Sequence, residues 1–233
     1  MSFKRTWHAS CPQIYDEWES DGAKWVIQDL PPEDDEEALK LMVEHLMPDE
    51  TMCQLSGVYE DPVSKHFMSE FWRDCLSQRM SLACYQIKEG NRILAAMNCC
   101  FVSFADEKKE IPEGDGEAWL NVYKTIEYFD SKLDAFKYLE TDKLLYAVGL
   151  VVRRDFRGAK LGARVLAARE PLCKSQGIPS TSTLFTGVAS QKCALRAGFT
   201  EVLSITLREL ADAGLKYPRD DRCIKLMVKK YTL

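Results

Sequence analysis

Histidine and closely spaced cysteine, the residues that bind most protein metals, are scarce in this sequence of 233 residues. The three histidines lie far apart, and the nine cysteines include no Cys-x-x-Cys pair. Because structural metal sites need such ligands at short spacing, we expect no bound metal. An odd number of cysteines, most of them among apolar residues, is typical of a reduced protein without disulfides. We therefore expect a cytoplasmic location.

Long hydrophobic runs and an excess of positive charge are also missing. The longest largely apolar stretch, Ile93 to Ala105, is interrupted by Asn98 and is too short to span a bilayer. The first residues contain no apolar region of the kind that directs secretion. The net charge of −5 argues against nucleic-acid binding and is compatible with a cationic substrate. We expect a monomer without a membrane or nucleic-acid partner.

The apolar pattern predicts one α/β domain, for which the chain is long enough. Residues 1–23 have no clear period and are assigned to an N-terminal extension, with the domain at 24–233. Within the domain we predict a strand near Trp25, two helices, a hairpin turning at Glu89-Gly90-Asn91, and further helices. Alternating strands and helices and two closing strands follow. This order indicates a single mixed central β-sheet flanked by helices.

The stretch from Leu144 to Arg169 joins an apolar strand to a helix through a basic turn with two glycines. From Lys160 onward apolar residues recur on one helical face, and Arg169 falls off that face. Such a junction presents free backbone N–H groups where a helix begins, which favours an anion. The basic residues here are Arg153, Arg154, Arg157, Lys160 and Arg164. The pattern indicates a site for a phosphate-bearing ligand, although ordinary solvated arginines and lysines would also produce it.

Leu150-Val151-Val152 followed by Arg157-Gly158-Ala159-Lys160-Leu161-Gly162 resembles the acyl-CoA signature of the GNAT superfamily of N-acetyltransferases. That signature is Arg/Gln-x-x-Gly-x-Gly/Ala after a strand, and Lys160 stands where it has its first glycine. The resemblance implies the GNAT fold and acetyl-CoA as cofactor. It also implies that the cofactor is held by Leu150, Val152, Arg157, Gly158, Ala159, Lys160, Leu161, Gly162 and Ala163.

Two further segments resemble the insect arylalkylamine N-acetyltransferases. Pro48-Asp49-Glu50-Thr51-Met52 is similar to the Asp-Glu-Pro-Leu segment of that family, with Thr51 in place of its proline. Thr186 and Ser190 are similar to its Ser-x-x-x-Ser segment, with a threonine in place of the first serine. The resemblance implies that Glu50 is the general base, and that Ser190, with Thr186 nearby, protonates the leaving thiolate.

The chemistry behind these roles is the removal of a proton from an ammonium group. With a lysine-like pKa of about 10.4, the free amine lies roughly 4–5 kcal/mol uphill at pH 7. A carboxylate such as Glu50 removes that proton as the amine approaches the thioester, and a backbone N–H of the strand Leu150–Val152 stabilises the oxyanion. We expect direct transfer without a covalent enzyme intermediate.

Other interpretations remain open at this level. Glu50 could be an exposed carboxylate after a helix and Ser190 a helix N-cap, and Cys193 is a rival nucleophile without an evident activating histidine. The acceptor could be an arylalkylamine such as tyramine, dopamine or serotonin, or agmatine or a polyamine, and the acyl chain could be longer. The chain could also bind acyl-CoA without transferring it. A phosphate-binding P-loop is disfavoured because no Gly-Lys-Ser/Thr sequence occurs.

Overall fold

The computed structural model describes residues 3–107 and 116–232. These residues form one mixed sheet of eight strands in the order β1-β2-β3-β4-β5-β6-β8-β7. Neighbouring strands are antiparallel except β5 and β6, which are parallel. The strands are β1 Ile14–Ser20, β2 Ala23–Asp29, β3 Leu82–Lys88, β4 Asn91–Phe104, β5 Lys143–Val152, β6 Ser180–Phe185, β7 Thr200–Thr206 and β8 Cys223–Lys230.

Helices cover both faces of the sheet. Apolar residues of α1 to α4 and α9 pack in one core, and those of α6 and α7 pack in a second core on the opposite face. A tighter helical turn at Pro32–Asp34 precedes α1, and a wider one at Met42–Leu46 continues it. The helices are α1 Asp35–Leu41, α2 Thr51–Ser56, α3 Pro62–Ser77, α4 Glu117–Lys132, α5 Ala135–Leu139, α6 Leu161–Ala167, α7 Arg169–Ser175, α8 Val188–Arg196 and α9 Leu207–Asp212.

The N-terminal segment contains a strand that the sequence pattern did not predict. β1 lies inside the segment 1–23 and pairs antiparallel with β2 at the edge of the sheet. Its residues are mostly exposed or half-buried, as expected for an edge strand, so it lacks the apolar period on which the prediction depended. The central sheet therefore begins at Ile14, before the predicted start of the domain.

The mixed sheet and most of its elements agree with the sequence. The hairpin turns at Glu89 and Gly90, whose φ angles of 51° and 79° suit a two-residue turn. The predicted helix from Lys160 is divided into α6 and α7 at Ala168. The division turns Arg169 inward, so its side chain is wholly buried rather than on the polar face.

Residues 105–116 are rich in charge and end in Gly114-Asp115-Gly116, from which the sequence predicts a loop, and this segment lies mostly outside the described residues. Among the residues described, no helix is long and apolar enough to cross a membrane. The cytoplasmic location and the monomeric state remain predictions.

Candidate functional site

A cavity of about 1220 Å³ opens where β5 and β6 separate. These parallel strands are paired only at Leu145 with Thr181 and Tyr146 with Ser182, although both strands continue beyond that point. The separated ends leave a gap in the middle of the sheet. Since a typical ligand pocket has roughly 300–1,000 Å³, the cavity has room for two reactants.

One end of the cavity contains the predicted phosphate-binding turn. Its lining residues there include Leu150, Val152, Arg157, Gly158, Lys160, Leu161 and Gly162. Ala159 and Ala163 belong to the same turn and helix, but they are not part of the lining. The structure thus brings seven of the nine predicted cofactor residues to one wall.

The backbone of this turn explains the glycine that Lys160 replaces. Lys160 has a φ of 59°, a left-handed conformation in which a side chain is strained and glycine is not. Gly158, with a φ of 90°, also requires this freedom. The lysine keeps the turn geometry at a cost of about 1–2 kcal/mol.

Most of the positive charge in the turn is neutralised by carboxylates. Arg153 pairs with Asp155 and Arg164 with Asp16, while both Arg154 and Arg157 pair with Asp49. Among the described residues, Lys160 is the member of the basic group that forms no such pair. Two further cations that line the cavity are on α8 and were not selected by the sequence interpretation: Lys192 and Arg196.

Arg157 connects the turn to the segment before Glu50. Its Nε donates to the carbonyl of Val152 at 3.2 Å, and its Nη2 donates to the carbonyl of His45 at 3.0 Å. The hydrogen bonds from Arg154 and Arg157 lower the pKa of Asp49 below its ordinary value. The Arg157 side chain therefore points toward the start of α2 and braces it.

His45 completes this bracing. Its Nδ1 accepts the backbone N–H of Arg154 at 3.3 Å. Burial and the nearby Arg154 and Arg153 cations lower the pKa of His45, so the ring is neutral at pH 7 and can accept this hydrogen bond.

Glu50 lies at the N-terminus of α2 and is half-buried. Its Oε1 accepts from Met52 N–H at 3.1 Å and its Oε2 from Cys53 N–H at 2.8 Å, so it is the helix N-cap rather than a freely exposed carboxylate. Thr186 donates its hydroxyl to the same Oε1. An ionised carboxylate has roughly four acceptor positions, and three are used here, so one remains for a fourth donor.

The N-terminus of α8 meets that of α2 beside Glu50. A Cβ placed on Gly187 would lie 3.6 Å from Thr51 Oγ1 and 4.0 Å from Ser190 Oγ. Ser190 is in the first turn of α8, three residues after the N-cap Gly187, so it is not itself the N-cap. Its hydroxyl donates to the Gly187 carbonyl at 2.9 Å. The three predicted catalytic residues therefore border the same part of the cavity.

The other end of the cavity is aromatic with an acidic rim. Phe71 lies 5.4 Å from Trp119 and 6.4 Å from Phe101, measured between ring centroids. Further aromatic lining residues are Trp72, Tyr123 and Tyr146, and the carboxylates are Asp74, Glu107, Glu127 and Asp130. In the sequence, the signal for this end is the group of aromatic residues Phe67, Phe71 and Trp72 on α3, which plain core packing would also explain.

Two further observations concern the rival nucleophile Cys193 and the residue types that bind metals. Burial raises the pKa of Cys193, which makes its thiol a poorer nucleophile. Within residues 3–107 and 116–232, no three His, Cys, Asp or Glu side chains cluster as metal ligands would.

Comparison with solved structures relates this fold to known proteins. A protein from the mosquito Aedes aegypti, assigned as arylalkylamine N-acetyltransferase 7, superposes with a TM-score of 0.90 and 29% identity. The match covers 98% of this chain and 99% of that protein. The chain is a GNAT-fold N-acetyltransferase. No protein-family model matches the sequence, and no curated protein matches it.

Other solved structures share the fold of this N-acetyltransferase at lower identity. Arylalkylamine N-acetyltransferase 2 of Aedes aegypti has a TM-score of 0.78 at 17% identity, over 88% of this chain and 98% of that protein. The Drosophila melanogaster polyamine N-acetyltransferase, which forms N-acetylagmatine, has a TM-score of 0.72 at 16% identity, over 88% and 99%. These likenesses support the predicted GNAT fold.

Proposed function

We propose that this N-acetyltransferase transfers the acetyl group of acetyl-CoA directly to the primary amine of a small, largely apolar amine, with Glu50 as general base. The observation that carries the proposal is the position of Glu50. Its carboxylate, held by Thr186 and the start of α2, lines the same cavity as Gly158 and Lys160 of the turn and as the aromatic residues Phe71 and Trp119.

The residues present fit coenzyme A. The unpaired ends of β5 and β6 offer backbone groups to which an amide-bearing chain can add like a strand. The turn at Gly158 provides close backbone approach for a diphosphate, and Lys160, Lys192 and Arg196 supply positive charge in the cavity. When bound, acetyl-CoA supplies the thioester that is cleaved.

Arg157 contributes to this end in a different way from the one first expected. Because its guanidinium is bound to Asp49 and to the carbonyls of Val152 and His45, its main part is to hold the turn against the start of α2. The phosphates are then contacted chiefly by the backbone of 158–163 and by Lys160.

Glu50 receives the proton of the substrate ammonium. The free acceptor position on its carboxylate accommodates the ammonium directly or through one water. In solution at pH 7, deprotonating the ammonium group costs roughly 4–5 kcal/mol. When Glu50 takes this proton in the cavity, the nitrogen lone pair is free to form the new C–N bond. Thr186 keeps the carboxylate oriented, because its hydroxyl is donated to Oε1.

The electron pair of the breaking C–S bond passes to sulfur, which then takes up a proton. Ser190 lines the cavity, and its hydroxyl donates to the Gly187 carbonyl at 2.9 Å and accepts the Gly187 N–H at 3.4 Å. We assign to this hydroxyl the transfer to sulfur of the proton that the attacking nitrogen loses as the amide forms, so that Ser190 ends the step as a neutral hydroxyl. The negative charge that develops on the acetyl oxygen is stabilised by the N–H of Leu150.

The acceptor end favours an amine with a flat or extended apolar body. Aromatic walls bind such a body, and the acidic rim attracts its cationic group or a second cation. Arylalkylamines such as tyramine, dopamine and serotonin fit the walls, and agmatine or a polyamine fits the rim.

A panel of these amines with acetyl-CoA, assayed by thiol release, tests the proposal. We expect turnover with at least one class of amine and none with acetyl-CoA alone. Saturable binding of acetyl-CoA without turnover on any amine would show that the chain binds acyl-CoA and does not transfer it. Faster turnover with longer acyl-CoA donors would show that acetyl-CoA is not the preferred acyl donor.

A further inference from the structure

Arg169 is a buried cation without a carboxylate partner. Its side chain is wholly buried, and it forms no ion pair within the described residues. The guanidinium donates from Nε to Asn98 Oδ1 at 2.7 Å, and from Nη1 to Thr183 Oγ1 at 2.8 Å and Thr181 Oγ1 at 3.2 Å. Burying an unpaired charge destabilises a fold, so this arrangement calls for a reason other than stability.

The contacts of Arg169 span the gap that forms the cavity. Asn98 is on β4, next to β5, and the two threonines are on β6. Arg169, Asn98 and Thr183 all border the cavity at the floor of the gap. The arginine therefore connects β6 to β4, the strand on the other side of β5.

Arg169 fixes the orientation of the Asn98 amide. A guanidinium has only donors, so the oxygen of the amide must face it and the NH₂ must face the other way. On that other side, Nδ2 of Asn98 donates to the carbonyl of Gly149 at 2.7 Å.

Gly149 belongs to a bulge in β5. Cys99 is opposite Gly149 while Cys100 is opposite Ala147, so Val148 is the extra residue. The carbonyl of Val148 is held separately, by the indole N–H of Trp72 at 3.1 Å. Side chains thus fix both carbonyls of the bulge.

Holding the Gly149 carbonyl determines where the next N–H points. In a planar trans peptide the C=O of Gly149 and the N–H of Leu150 point in opposite directions. With the carbonyl drawn to Asn98 on β4, the Leu150 N–H points away from β4, toward the side on which β6 lies. This is the N–H assigned above to the acetyl oxygen.

We propose that Arg169 is a positioning residue that, through Asn98, holds the Gly149–Leu150 peptide so that the Leu150 N–H faces the acetyl oxygen. This inference rests on the proposed acetyl transfer. The charged guanidinium suits this position because it has only donors. It can therefore fix the orientation of the Asn98 amide and bond to the threonines of β6 at the same time.

The substitution Asn98→Asp separates positioning from stability. It keeps the side-chain shape and gives Arg169 a counter-ion, but it replaces the donor to Gly149 with an oxygen that repels the carbonyl. We expect the melting temperature to stay equal or rise, while kcat falls about 10- to 100-fold. This is less than the roughly 10²–10³ lost when an oxyanion donor is removed, because the Leu150 N–H is misdirected rather than absent. The Kd of CoA, which lacks the acetyl oxygen, should change less than about threefold.

Asn121→Asp is the matched control. Asn121 is a buried asparagine on α4 that bonds to Ser56 and Lys216 and does not line the cavity. There we expect a lower melting temperature with kcat unchanged. Two results would overturn the positioning role. One is a normal kcat in Asn98→Asp, and the other is a loss of kcat that parallels the loss of melting temperature in both variants.

An NMR readout keeps the inference testable apart from turnover. In the wild-type protein, acetyl-CoA should shift the Leu150 amide resonance relative to CoA, and Asn98→Asp should abolish that difference. An unchanged Leu150 shift in wild type would refute the inference even if amines are acetylated. Failure of the amine panel with the Leu150 shift intact would instead refute the proposed transfer.

Discussion

Replacing Glu50 with glutamine is the sharpest test of the chemistry proposed for the cavity. The substitution keeps the length of the side chain and one acceptor oxygen for the N-terminus of α2, but removes the base. Because Glu50 also caps α2, any loss of activity has to be compared with the accompanying loss of stability.

The expected loss of stability and the expected loss of kcat differ greatly in size. Loss of a helix N-cap costs about 1 kcal/mol, which for a chain of this length lowers the melting temperature by roughly 2–4 °C. Loss of a general base lowers kcat by about 10²- to 10⁴-fold, or roughly 2.7–5.4 kcal/mol of transition-state stabilisation. The folded fraction at 25 °C is barely changed by the first effect, so it cannot account for the second.

The assay is thiol release over a range of pH. In Glu50→Gln only the amine already deprotonated in solution can react, so kcat/KM should rise about tenfold per pH unit up to an amine pKa of about 10.4. The wild-type profile should be much flatter above pH 7, because the enzyme removes the proton itself.

Asp134→Asn provides the matched control. Asp134 caps α5 through two backbone N–H groups, as Glu50 caps α2, but it does not line the cavity. We expect a similar small decrease in melting temperature with unchanged kcat and pH profile. Glu50→Gln with a rate within about threefold of wild type, or with the wild-type pH profile, would remove Glu50 from the mechanism.

Three further predictions concern neighbouring residues. Thr186→Val should lower kcat about 10-fold because Glu50 loses a hydroxyl donor, and Thr186→Ser should retain activity; equal losses in steady-state kinetics would contradict this role. Lys160→Gly should relieve the left-handed backbone strain, stabilise the fold by about 0.5–1 kcal/mol and raise the KM of acetyl-CoA. Glu140→Gly, at a φ of 54°, is the control and should stabilise the fold without changing that KM. Cys193→Ala should retain kcat within about threefold, and acetyl-CoA alone should leave no acetyl adduct by intact mass spectrometry; such an adduct would establish a covalent route.

Local sequence patterns were sufficient where a structure depends on residues close together in the chain. The hairpin at Glu89-Gly90 follows from two positions that need positive φ, and β5 follows from its apolar run. The capping position of Glu50 is also local, because its partners are two and three residues away. The sequence interpretation missed this cap and treated the carboxylate as following a helix rather than starting one.

The functions of the basic residues could not be derived in this way. The sequence grouped five cations into one turn, but the carboxylate partners of three of them come from distant parts of the chain. Asp49, which pairs with Arg154 and Arg157, is 105 residues from Arg154, and Asp16 is 148 residues from Arg164. Ion pairing depends on the distance between charged groups in space, which only the packing of the strands and helices determines. Only the folded chain therefore distinguishes bracing arginines from a cation such as Lys160.

The sequence by itself determined the sheet, the glycine-containing turn and the segments that carry Glu50, Thr186 and Ser190. The tertiary structure decided that Thr186 donates to Glu50 across 136 residues, and that Arg169 is buried against Asn98 instead of facing water. The physical reason is the same in both cases. Periodicity and turn chemistry act over a few residues, whereas hydrogen bonds and burial depend on which distant segments the sheet brings into contact.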